Sequence, residues 1–212
     1  VEMDGLDIRK YRREDSESVV ALIRSGLVAN ADLLPEEHRG FVDMLRGLIG
    51  QYVDAACADD LADIATTYDV DESESKELVG GFWVVARRDS AGTGGDKVLG
   101  TVALRARPKR TAELLRMSID PSLRGVGMGQ RLVGLVEKHA KDRGFEKIVL
   151  STLNIFKPAL SLYRKCGFAH VESTPLPVPD LEVDPNVVCV VLYEKSLKSG
   201  TSENFKPTPC LA

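Results

Sequence analysis

Three alternating glycines, Gly125, Gly127 and Gly129, follow Arg124 and lead straight into an amphipathic stretch. Glycine lets backbone approach a ligand closely and adopts positive φ without strain. A helix behind such a turn offers amide groups with no helical partner and the positive end of its dipole. Together these form a cradle for an anion such as a pyrophosphate, and Arg124 adds a charge-assisted donor. Spacing sorts the phosphate-binding loops. A dinucleotide fingerprint needs Gly-x-Gly-x-x-Gly after the opening strand, and a P-loop needs Gly-Lys-Ser/Thr. Here the pattern is Gly-x-Gly-x-Gly, far along the chain, with no Gly-Lys-Ser/Thr. The alternative is a turn that merely joins strand to helix. Glycine-rich residues 91–96 also lack the P-loop ending and read as a hairpin loop. Cys57, Cys166, Cys189 and Cys210 form no Cys-x-x-Cys pair, and His38, His139 and His170 show no ligand spacing, so no metal site is expected. Cys166 has no clear histidine partner in sequence and reads as a packing residue.

The elements that must hold this turn follow from periodicity. Residues 6–11 alternate as a strand, and Val19, Val20, Ile23 and Leu27 mark one face of a first helix. Residues 35–68 keep a helical period throughout, and acidic residues 69–77 read as a solvated loop. Strands are expected at 81–87, 98–105 and 113–119 as an antiparallel meander. Asp120-Pro121 closes the last of these. In the helix after the glycines, Leu132, Val133, Leu135, Val136 and His139 form the inner face while Glu137, Lys138 and Lys141 point out; Gly144 ends it. Residues 147–151 form a short strand paired in parallel. A second helix over 158–166 begins at Pro158, and strands at 168–171 and 187–193 close the sheet around proline-rich 174–185. The chain has 212 residues, enough for a sizeable core. A net charge of −4 excludes a generally basic nucleic-acid binder. A mean hydropathy of −0.10 and the lack of a long apolar run argue against a membrane span. No secretory signal opens the chain, and scattered thiols of this kind point to a cytoplasmic protein.

Arg124-x-x-Gly127-x-Gly129 resembles the Arg/Gln-x-x-Gly-x-Gly/Ala signature of the GCN5-related N-acetyltransferase (GNAT) superfamily. Residues 112–121, Ala-Glu-Leu-Leu-Arg-Met-Ser-Ile-Asp-Pro, are similar to its central strand, and Ala159-x-x-x-Tyr163-Arg164-Lys165-Cys166-Gly167-Phe168 is similar to its closing motif. The strand holding Phe82-Trp83-Val84-Val85 after a long helical insertion is closest in pattern to the NAT8-like (camello-like) branch. Gln51, Asp54, Asp59, Asp60 and Asp63 stand where that branch often carries a membrane-embedding apolar segment, so a soluble form is implied. The resemblance implies an α/β (α+β) GNAT fold: a mixed, mostly antiparallel sheet of six to seven strands with a splayed central parallel pair and helices on both faces. It implies one domain over 1–198 with a helical insertion about 35–78, and a tail at 199–212.

What the family does carries over as expectation. Acetyl-CoA, the co-substrate, would place its pyrophosphate on the amides of Gly125, Val126, Gly127, Met128, Gly129 and Gln130 beside Arg124. Its pantetheine arm would pair with Met117, Ser118 and Ile119, and an amide near Met117 would polarise the thioester carbonyl. The acetyl group would pass to a primary amine by direct attack, without a covalent enzyme intermediate. Glu113, eleven positions before Arg124, is the candidate base, directly or through a water; the alternative is a strand glutamate paired with Arg116 or Arg105. Tyr163 is the candidate acid for the departing thiolate. The family's asparagine three positions before the helix alanine is replaced by Phe156, and Asn154 is the available substitute. The acceptor is a small-molecule or peptide amine; acidic residues 59, 60, 63, 69, 71, 72 and 74 favour either a cationic acceptor or simply a solvated face. No metal and no nucleic acid are involved, and a homodimer remains compatible with the pattern. The competing function is an acetyl-CoA-binding sensor or scaffold without turnover.

Overall fold

Residues 81–86 read Gly-Phe-Trp-Val-Val-Ala with no polar interruption, the composition of a strand covered on both faces, and every one of them is buried. They form the strand next to one edge of a seven-stranded sheet. A computed structural model describes residues 5–31, 39–70, 79–88, 96–176 and 187–198. Its strands are β1 (Leu6–Lys10), β2 (Gly81–Arg87), β3 (Lys97–Arg107), β4 (Thr111–Ile119), β5 (Lys147–Leu153), β6 (Ala169–Pro175) and β7 (Cys189–Ser196). They pair in the order β1-β2-β3-β4-β5-β7-β6. Every neighbour is antiparallel except β4 and β5, which run parallel. The mixed sheet with one central parallel pair is the expected one.

Helices α1 (Ser16–Ala31), α2 (Arg39–Ala58), α3 (Ile64–Thr67), α4 (Met128–Asp142) and α5 (Lys157–Lys165) cover both faces. Strand alternation divides the core. Trp83 and Val85 join Leu132, Val133 and Val136 of α4 on one side, while Phe82, Val84 and Ala86 join Val19, Ile23, Ile64 and Tyr68 on the other. A third cluster seats Leu45, Ile49 and Val53 of α2 on Ile155, Phe156 and Val188. The helical period expected over 35–68 is interrupted at 59–63. There Asp63 caps α3, accepting from the Thr66 amide (3.2 Å) and hydroxyl (2.7 Å), a local bond that competes with continued helix. The glycine-rich loop at 91–95, most of the acidic loop, proline-rich 177–186 and the tail at 199–212 lie outside the described residues.

One outward assignment on α4 is corrected. Glu137 does not point to solvent with its neighbours; it accepts from Lys195 of β7 (2.6 Å) as well as from Lys141 (2.8 Å). Burial works against the charge, but the two lysines outweigh it and hold the carboxyl below its ordinary range. A lowered folded-state pKa means the stabilisation is present above the unfolded value of ~4.3 and is lost as pH falls through the folded one. Glu137→Gln is therefore expected to cost about 1 kcal/mol at neutral pH. In urea melts the gap to the parent should narrow as pH falls below the unfolded value and close once the folded carboxyl is protonated; a gap that does not narrow with falling pH would assign the loss to packing.

Candidate active site

The central strand changes parity partway along. Ala112 and Leu114 face the α4 core, and further on Met117 and Ile119 pack against the same cluster. Even positions give way to odd ones, which requires an extra residue. The register with β3 shows it: Ala103 pairs with Leu115 and Thr101 with Ser118, leaving Arg116 and Met117 without partner residues on β3. Arg116 takes φ +53, the left-handed region that costs a non-glycine residue about 1–2 kcal/mol. The buried Thr101 hydroxyl donates to its carbonyl (2.7 Å). This is a β-bulge, which re-aims backbone and side chains locally.

On the other edge, β4 separates from β5. The parallel pairing covers only Thr111↔Lys147, Ala112↔Ile148 and Glu113↔Val149, although both strands continue. A cleft opens between them, floored by Met117, Ser118 and Ile119, walled by Ser151 and Thr152 of β5, and closed by Ala159, Leu162 and Tyr163 of α5. Helix α1 leans over it so closely that a Cβ on Gly26 would lie 2.3 Å from the Ser118 hydroxyl. Arg124 lines the same cleft, and its Nε donates to the Ile119 carbonyl (3.3 Å).

The glycine turn stands beside Arg124. Gly125 and Gly127 both have positive φ (+77 and +82), and Gly127 is the N-cap of α4. The first helical hydrogen bond runs from the Arg131 amide to the Gly127 carbonyl (3.1 Å). The amides of Met128, Gly129 and Gln130 are thus the orphan donors of the first turn. No acidic residue occupies that turn. Met128 keeps its side chain in the core and can offer only backbone, whereas Val126 is exposed. A Cβ on Gly129 would meet Leu162 at 2.8 Å, so this glycine also sets how closely α5 approaches.

Tyr163 is buried and lines the cleft. Its ring packs edge-on against Phe168, and its hydroxyl makes no hydrogen bond among the described residues. Burial pushes the phenol well above its ordinary range. Glu113 sits elsewhere. Its Oε2 accepts from Arg105 (3.2 Å) and Arg107 (2.6 Å), and it is not among the residues lining the cleft; the strand-glutamate pairing noted for it in sequence is what occurs, with Arg107 in place of Arg116. Asn154 is likewise outside the cleft. Its amide group donates to the Val187 carbonyl (3.3 Å) and accepts from the Cys189 amide (3.0 Å), fastening β5 to the start of β7. Phe156, in the position the asparagine would hold, is buried in the cleft wall.

A second cleft adjoins the first. The two share Leu27, Tyr52, Ser151, Thr152 and Phe156. Beyond that junction the second is lined by Leu45, Leu48, Ile49, Leu153, Leu176 and Val190, with Gln51 as a polar exception. No carboxylate and no histidine lines either cleft among the described residues. The acidic residues of the insertion are used otherwise: Asp63 caps α3, and Asp60, expected on a solvated face, is buried. It forms a two-point ion pair with Arg116, including Nε to Oδ2 at 2.8 Å, and accepts from the Tyr68 hydroxyl. Sequence reading missed this pair, although a lone arginine where apolar parity shifts in a buried strand is a legible sign of the bulge.

The sequence model of the acetyltransferase (GNAT) family matches residues 52–168. Human N-acetyltransferase 8B is 27% identical, covering 91% of this chain and 97% of its own, in keeping with the camello-like pattern. A GNAT-family acetyltransferase of Staphylococcus aureus has the same fold, with a TM-score of 0.63 at 21% identity over 91% of this chain and 99% of that one. The PaiA N-acetyltransferase of Thermoplasma acidophilum, solved with coenzyme A, gives 0.56 at 20% identity, covering 90% and 98%. Among the described residues no helix is long and apolar enough to cross a membrane, and no group of His, Cys, Asp or Glu is arranged to hold a metal ion.

Proposed function

The chain belongs to the acetyltransferase (GNAT) family and is an N-acetyltransferase, and from that premise we propose that it moves the acetyl group of acetyl-CoA to a primary amine with an apolar body. The observation that carries this reading is the junction of the two clefts: one is floored by the open backbone edge of β4 and reaches Arg124, beside the glycine turn, the other is lined mainly by aliphatic side chains, and they share Ser151, Thr152 and Phe156. The residues present fit the donor. Orphan amides at 128–130 and the Arg124 guanidinium suit a pyrophosphate, with Gly125, Val126 and Gly127 as the turn that aims them. The unpaired edge of β4 at Met117, Ser118 and Ile119 suits an extended amide-bearing arm. Coenzyme A bound to a relative of the same fold supports the same choice.

In this scheme the amine nitrogen attacks the thioester carbon and the C–S bond breaks. The Met117 amide donates to the carbonyl oxygen as negative charge grows there, the interaction worth about 3–4 kcal/mol in comparable sites. Tyr163 gives its proton to the departing sulfur. The surplus proton on nitrogen leaves through water to Glu113, whose Oε1 makes no hydrogen bond among the described residues. Asn154 has no part in it.

The acceptor class follows from the lining. A polyamine would bury a second ammonium against aliphatic walls with no carboxylate among the described residues to meet it, which is unfavourable. Each methylene placed in the second cleft instead contributes about 0.8 kcal/mol. In a CoA-release assay with straight-chain amines, kcat/KM should rise about fourfold per added methylene until the cleft is filled, with spermidine poorer than hexylamine. A flat series, or spermidine leading it, defeats the acceptor assignment. Stabilisation by acetyl-CoA in thermal melts with no CoA released from any amine would replace the enzyme reading by the sensor.

A further inference from the structure

Arg116 combines three features that do not usually coincide: left-handed backbone, a side chain 7% exposed, and a formal charge. It stands immediately before Met117 in the unpaired step of β4. Its side chain leaves the sheet towards the helical insertion. There Asp60 grips it at two points, Tyr52 accepts from Nη1 (2.9 Å), and the guanidinium carbon lies 5.3 Å from the Tyr52 ring centre. Asp60 is itself fixed by the Tyr68 hydroxyl, and the side chains of Asp60 and Arg116 are shut off from water. The insertion thus reaches across 56 residues of sequence to hold one side chain of the central strand.

We propose that Asp60 is a positioning residue for acetyl transfer: by anchoring Arg116 it holds the β4 bulge in its left-handed turn and so keeps the Met117 amide aimed into the cleft. The inference rests on the reading that this amide serves the thioester oxygen. The physical case is one of competing states. An ordinary strand conformation at Arg116 would relieve the backbone strain and turn the Met117 amide away from the cleft. What opposes that relaxation is the side chain. Reversing φ swings the Arg116 guanidinium out of its buried contacts, leaving the Asp60 carboxylate buried without its counter-charge and met only by the Tyr68 hydroxyl, and an uncompensated buried charge is strongly unfavourable. The ion pair therefore acts as a latch on backbone geometry. Its two halves come from different elements, so Asp60 couples the insertion to the chemistry without itself lining the cleft.

Glycine separates the latch from mere stability, because it adopts φ +53 at no cost. Asp60→Asn leaves the buried guanidinium uncompensated and lets the bulge relax. Its kcat should fall about 100-fold, the scale of losing one donor to a developing oxyanion, while KM for acetyl-CoA changes little. Adding Arg116→Gly removes the stranded charge and permits the left-handed turn, so the Asp60→Asn/Arg116→Gly double variant should regain most of that loss. Asp60→Asn/Arg116→Ala should not, although it too lacks the charge. Equal kcat in the two double variants, or a single variant with parental kcat and only a lower melting temperature, overturns the proposal. A second readout does not need an acceptor. With 15N-methionine labelling, the Met117 amide resonance should move on adding acetyl-CoA to the parent and the glycine double variant, but not to Asp60→Asn. An amide that moves alike in all three refutes the latch, whereas a parent that binds acetyl-CoA and shows the shift yet acetylates nothing refutes only the transferase reading.

Discussion

Tyr163→Phe is expected to lower kcat by about 10²–10⁴-fold, the usual contribution of a positioned general acid, with melting temperature and acetyl-CoA affinity close to those of the parent. The asymmetry comes from the geometry. The ring is buried, packs on Phe168 and lines the cleft, and phenylalanine keeps all of that. The hydroxyl bonds to nothing among the described residues, so its removal leaves no partner unsatisfied. Burial raises the phenol pKa, so the group stays protonated throughout the neutral range and is available to protonate a thiolate whenever one forms. Steady-state kinetics alongside a thermal melt check this. Equal kcat in the two proteins would mean that solvent protonates the leaving sulfur.

Gly127→Val should act on the other end of the donor. At φ +82 a β-branched side chain is a true outlier, and Gly127 is the N-cap that aims the first turn of α4. A hydrogen bond from an amide to a charged phosphate is worth about 1.5–3 kcal/mol. Misdirecting two of the amides at 128–130 should therefore weaken acetyl-CoA binding by about 10²–10⁴-fold, read by calorimetry. A matched control lies seven residues on. A Cβ at Gly134, within α4, meets nothing within 4 Å, so Gly134→Ala should leave binding intact and stabilise the helix by about 0.5–1 kcal/mol. Comparable weakening by both substitutions would locate the donor away from this turn.

The parts of the molecule that follow from short-range rules were visible in the sequence. The inner face of α4, the sequence positions of the strands and the glycine turn are local patterns, and each is found where it was expected. The seam between β4 and β5 was reached through family resemblance and is seen in the register. Less legible were features decided by distant partners. Asp60 belongs to a run of acidic residues, and charge runs are normally solvated; only the fold brings Arg116 to it. Glu113 was selected by its offset from Arg124, yet offset along a strand does not say which face the side chain takes or which arginines stand across the ladder. Asn154 shows the same limit, since the backbone it bonds arrives from residues 187–189, more than thirty positions later. The interruption at 59–63 depended on Asp63 choosing a cap over a continued helix, a competition in which propensity gives little guidance.

The open seam has one more effect. Only three residue pairs join β4 to β5, so past Glu113 each strand presents backbone donors and acceptors to whatever fills the gap. An arm able to hydrogen-bond on both sides would act as mortar between the two halves of the sheet. A ligand that binds the folded chain raises its stability in proportion to the logarithm of its concentration. On the proposed function the protein's lifetime would be tied to the supply of its own donor: when that supply ran low, the molecule would be left idle and also more easily unfolded.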